Sequence, residues 1–76
     1  MDVNEINKQE RERLIALAKE ESDEFHKSCL IDDLLKLESH PEQYWSHFNI
    51  EAFEPVTVVE TQRLNTITAM QKHYSK

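Results

Sequence analysis

Residues 40–55 read HPEQYWSHFNIEAFEP, from His40 to Pro55. This stretch holds Tyr44, Trp45, Phe48 and Phe53, four of the six aromatic residues, and it is bracketed by the only two prolines, Pro41 and Pro55. His40 precedes a proline and is pushed away from α geometry, so a helix arriving from the N-terminal side stops by Ser39. Pro41 suits the first position of a new helix. Ser39 and Glu42 match a capping box, which starts the same helix one residue out of register with the Pro41 signal. That helix sets Tyr44, Trp45 and Phe48 on one face. Asn49 is the residue best suited to a left-handed C-terminal position. The rings are expected to form the packing centre, or else an exposed anchor or subunit contact.

N-terminal to this stretch the chain is highly charged and helical in pattern. Asp2 and Asn4 are candidate caps, with Glu5 in the first turn. Ile6, Leu14, Leu17 and Ala18 fall near one face, and the intervening NKQERER reads as a solvated face of mixed charge. On one continuous helix, Leu14, Leu17, Ala18, Phe25 and Cys29 lie on one side, and Leu30, Ile31, Leu34 and Leu37 lie on the opposite side. Either the helix breaks between Ser22 and Ser28, or one long N-terminal helix to Glu38 meets different partners on its two faces. The break is the favoured reading.

C-terminal to Pro55, Val56-Thr57-Val58-Val59 has strand propensity. However, Val56, Val59, Leu64, Ile67, Met70 and Tyr74 follow a helical period, and Thr57 with Glu60 forms a second capping box. The pattern predicts a helix over about 57–73 after an extended Pro55-Val56, with a short edge strand at 56–59 as the alternative. The fold class is therefore all-α: three or four helices in a single small domain spanning residues 1–76.

Composition narrows the function. There is no glycine, so phosphate-cradling loops, dinucleotide fingerprints and the nucleophile elbow have no backbone to form on. One cysteine, Cys29, allows no internal disulfide. The longest apolar run, Leu14–Ala18, falls far short of the ~20 residues that span a bilayer. A cytoplasmic, cofactor-free protein is expected. Seventy-six residues build a core with about 3–5 kcal/mol of net stability, so self-association as a homodimer is expected too.

Several constellations resemble chemistry, each with a plainer reading. His26, Cys29 and Asp33 share a helix face at ligand-like spacing, but no second motif completes a zinc set. Asp23-x-x-His26 is half of a di-iron pattern at best. Cys29 with a histidine, Ser39-His40 and Ser46-His47 lack the facing geometry of a nucleophile–base pair. Asp32-Asp33 reads as the wet side of a helix rather than an acid–base pair. No enzyme activity and no metal are expected.

Charge is the stronger signal. The net charge is −6, and residues 20–54 carry ten acids against Lys27 and Lys36. A basic partner surface would be steered to this segment, whereas phosphate contacts would be opposed. The expected function is that of a small acidic helical regulator, an inhibitor or adaptor docking on a basic surface of a larger, nucleic-acid-handling protein. Its expected contacts are Glu20, Glu21, Asp23, Glu24, Asp32 and Asp33, with Tyr44, Trp45 and Phe48 as apolar anchors. After Glu60 there are no acids, and Arg63, Lys72 and Lys76 are the bases. Gln62, Arg63, Asn65 and Lys72 on this helix give the alternative, a DNA-binding regulator reading base edges.

Overall fold

A computed structural model describes residues 1–75; Lys76, one of the C-terminal bases, lies outside them. Four α-helices follow one another: α1 (Val3–Glu20), α2 (Glu24–Ser39), α3 (Pro41–Ser46) and α4 (Val58–Tyr74), with a 3-10 turn at Ile50–Ala52 between α3 and α4. The fold is all-α, and no strand occurs among the described residues.

The helix boundaries follow local chemistry. Asp2 caps α1 by accepting from the Glu5 amide at 3.1 Å. α1 ends where Glu21 turns extended, and the chain re-enters helix at Asp23, whose carboxylate accepts from the Phe25 and His26 amides. The helical break therefore exists and falls at Glu21–Asp23, with Asp23 rather than either serine as the cap. Pro41 takes the first turn of α3 as its fixed φ favours. Thr57 caps α4 by accepting from the Glu60 amide at 3.1 Å, and its hydroxyl donates to the Glu60 carboxylate.

Two cap assignments are corrected. Ser39 does not cap α3: its hydroxyl turns back to the Leu35 carbonyl at 2.8 Å, and His40 holds the cap position with no side-chain bond. Asn49 is not left-handed, as no described residue has positive φ. It instead starts the 3-10 turn by accepting from the Glu51 amide.

α1 packs on α2, α2 on α3, and α3 on α4. The core gathers Leu14, Leu37, Tyr44, Trp45, Ile67 and Met70, flanked by Ile6, Leu30, Leu34, Phe48 and Phe53. Phe48 and the two core rings meet edge-on or tilted, with centroids 5.2–6.1 Å apart, a favourable arrangement for their quadrupoles. The aromatic stretch is thus the packing centre.

The apolar arcs read from the sequence are partly corrected. Phe25, Cys29 and Ile31 face outward because the break re-aims α2, and Leu17, at the end of α1, is exposed as well. Val56 and Val59 are exposed because residues 57–62, the start of α4 and its cap, stand clear of the core. The largest correction lies in the NKQERER segment. Glu10 is no part of a solvated face; it is 3% exposed and sits within the core.

Candidate protein-binding surface

The ionisable groups divide into a sealed cluster and an open surface. Glu10 lies one helical turn from Ile6 and one from Leu14, in the row that faces the core. Its carboxylate receives Arg13 through Nε at 3.2 Å and Nη2 at 3.0 Å. Arg63, from α4, grips the same carboxylate with both terminal nitrogens, at 2.5 and 2.6 Å. The Tyr44 hydroxyl from α3 donates to Oε2. Arg63 also lies over the Trp45 and Phe48 rings, 5.8 and 5.6 Å from their centroids, where the π face attracts its charge.

This geometry fixes the protonation states. Burial pushes the Glu10 carboxyl up, but bonds from Arg63, Arg13 and Tyr44 outweigh it and hold the pKa at about 2. Burial and the bond to Glu10 both push the Tyr44 phenol well above its ordinary value. Burial acts to lower Arg13, and its bonds to Glu10 reverse that and raise it. Five donors converge on two oxygens, so no lone pair is left for a substrate. The cluster ties three helices together and does no evident chemistry.

A second polar chain runs beside it. Trp45 Nε1 donates to Asn7 at 2.8 Å, and Asn7 donates to the Tyr74 hydroxyl at 3.0 Å. Gln71 donates to the carbonyls of Trp45 and Phe48 at 2.9 and 2.8 Å, satisfying the end of α3. Among the described residues no buried polar side-chain atom lacks a partner.

The predicted contact residues separate accordingly. Tyr44 and Trp45 are buried in the core within one chain, and Phe48 is half-buried against them. Their placement removes the two larger rings from any partner's reach. Glu20, Glu21, Asp23 and Glu24 gather at the α1–α2 elbow, all exposed except the half-buried Glu21. Asp32 is exposed further along α2, and Asp33 is half-buried beside it. Within the described residues none of these six forms an ion pair with a lysine or arginine; Asp23 has His26 at 3.6 Å. Of the ten acids in residues 20–54, only Glu38 is so paired among the described residues, with Arg11 at 3.8 Å.

On α4, Gln62, Asn65 and Lys72 are exposed, but Arg63 is taken up by Glu10. The reading of α4 as a base reader therefore loses its arginine to the core. His26 and Cys29 are exposed on α2, and no group of three or more His, Cys, Asp or Glu side chains among the described residues is arranged to hold a metal ion. No helix described here is long and apolar enough to cross a membrane.

Sequence reasoning missed Glu10 and Arg63 as partners. The available signal was the row Ile6, Glu10, Leu14, which places a carboxylate on the apolar side of α1. In comparisons with protein-family models, with curated proteins and with solved structures, nothing matches this chain.

Proposed function

We propose that this chain is a small acidic helical regulator that works by protein–protein binding, as an inhibitor or adaptor docking on a basic surface of a larger, nucleic-acid-handling protein. The observation that carries this reading is the unneutralised acid at the α1–α2 elbow. Glu20, Glu21, Asp23 and Glu24 present carboxylates to solvent without a lysine or arginine partner among the described residues. Such a surface raises encounter rates with a basic patch and orients the approach. With Tyr44 and Trp45 inside, affinity rests mainly on charge and is strongly salt-dependent.

The test is capture from a lysate of the source organism on immobilised protein at low salt, followed by elution with salt. A variant carrying Glu20→Gln, Glu21→Gln and Asp23→Asn keeps the α2 cap, since Asn caps as well as Asp. It is expected to lose the salt-eluted partner while Trp45 emission stays unchanged. Capture that survives this neutralisation overturns the reading. A low-salt gel shift with duplex DNA that is lost on Lys72→Ala would install the DNA-binding alternative in its place.

A further inference from the structure

The Glu10 cluster is sealed at its carboxylate but open at its arginines. Arg13 and Arg63 both pair with Glu10, and neither has a second carboxylate partner among the described residues. Tyr44 donates to Glu10 as a neutral phenol and alters no charge. Two guanidiniums thus share one carboxylate, and the cluster holds one positive charge in excess within a chain of net charge −6. The Arg63 side chain is only 25% exposed and that of Arg13 43%, so water screens this charge incompletely.

A cleft lies against the two arginines, between α1 and α4. Ile6, Gln9, Glu10 and Arg13 line it from α1, and Arg63 and Thr66 from α4. Each guanidinium carries five N–H donors and gives two of them to Glu10. Both arginines therefore keep N–H groups beyond that carboxylate. The other polar groups of the cleft are already engaged: Gln9 donates to Glu5, and Thr66 donates to the Gln62 carbonyl. The cleft measures about 220 Å³, below the ~300–1,000 Å³ of pockets that enclose a drug-sized ligand. It admits one small group rather than a whole cofactor.

We propose that this cleft is a carboxylate-binding site, in which an incoming carboxylate is held by the N–H groups of Arg13 and Arg63 that Glu10 leaves over. The planar fork of a guanidinium matches the two oxygens of a carboxylate, and Glu10 engages both arginines in that way. Charge selects among anions. A singly charged group brings the cluster to neutrality, whereas a doubly charged one would turn it negative inside an already acidic chain. The carboxylate comes either from a small free acid or from an Asp or Glu side chain of another protein, and the chemistry at the arginines is the same. The site stands apart from the acidic-elbow reading, because none of Glu20, Glu21, Asp23 or Glu24 lines the cleft.

The test is a titration of the full chain with acetate at pH near 7, with chloride exchanged to hold ionic strength constant. It is read at the Nε–H signals of Arg13 and Arg63 in nitrogen-15 NMR spectra. A saturable shift at Arg63 is expected. Arg13→Gln removes the excess charge and is expected to weaken binding about tenfold or more, as loss of hydrogen bonds to a charged group does. Lys72→Gln removes an equal charge about 14 Å further along α4 and is expected to bind as the wild type does. A capped glutamyl peptide run beside acetate separates the two sources: tighter binding of the peptide supports a protein side chain, equal binding a free acid. Thr66→Glu builds a carboxylate into the cleft, one helical turn from Arg63. It is expected to melt at a higher temperature than Thr66→Gln and to lose the response to acetate, which tests the site even where Arg13→Gln does not fold. Trp45 emission reports the folding of each variant. The proposal is overturned by a shift that fails to saturate, by a folded Arg13→Gln variant that binds as the wild type does, by equal weakening in Lys72→Gln, or by a Thr66→Glu variant no more stable than Thr66→Gln.

Discussion

Glu10 carries more of this fold than any other single residue, and its consequences are measurable. Removing one partner of a buried ion pair costs about 3–5 kcal/mol, comparable to the whole net stability of a domain this small. Glu10→Gln is therefore expected to leave the chain largely unfolded at room temperature, read as a red-shifted Trp45 emission. Replacing Glu10 and Arg63 by leucine together with Tyr44→Phe removes the buried groups that need pairing, and is expected to recover much of that loss in a urea titration. The pH response has a definite sign. The unfolded carboxyl takes up its proton near 4.5, the folded one only near about 2. Between those values the unfolded chain binds the extra proton, so stability falls as pH falls. The contribution, on the order of 3 kcal/mol, is complete above about pH 5 and lost on approach to pH 2. An acid titration of the wild type followed at Trp45 should show its transition in that window; an onset near neutrality would contradict the assignment. The charge of Glu10 was legible in the sequence, but its burial was not. Burial depends on Arg63, 53 residues away, and no local pattern encodes a partner at that distance.

At the scale of elements, the helices differ in what holds them. α3 is only six residues long, too short to be stable alone, and its carbonyl end depends on Gln71 from α4. Gln71→Ala leaves two carbonyls unpaired and is expected to cost about 1–3 kcal/mol, with the loss visible as a lower urea midpoint. α4 behaves differently along its length. Its beginning stands clear of the core, while Ile67 and Met70 are fully buried. Thr57→Ala removes a cap worth about 1 kcal/mol. Because the first turn packs on nothing, the loss should appear as faster amide exchange at Glu60 and Thr61 with little change in global melting temperature. Caps such as Thr57 and turn signals such as Pro41 could be read from the sequence because their physics is local. Ser39 and Asn49 misled because each has a competing local bond. Ser39 bonds back to Leu35, and Asn49 opens the 3-10 turn.

For the whole molecule, the extents of 34 × 30 × 20 Å and a radius of gyration of 12.7 Å exceed the roughly 11 Å expected for a compact chain of this length. The body is flattened, and Phe25 and Leu35 on the outer side of α2 lie exposed. The all-α class was legible from periodicity, caps and the lack of glycine. The acidic surface was legible from composition, because the acids of residues 20–54 find almost no lysine or arginine partners among the described residues. Which aromatic rings lie inside was settled only by the packing of α3 between α2 and α4. The bond between Glu10 and Arg63 also bears on how the protein is made. A ribosome adding about 5–20 residues per second needs on the order of 3–10 s to pass from one to the other. Through that interval the nascent α1 keeps a hydrated carboxylate where the core will form, so the chain emerges unfolded and closes late. A protease present during synthesis meets a substrate that the finished protein no longer offers.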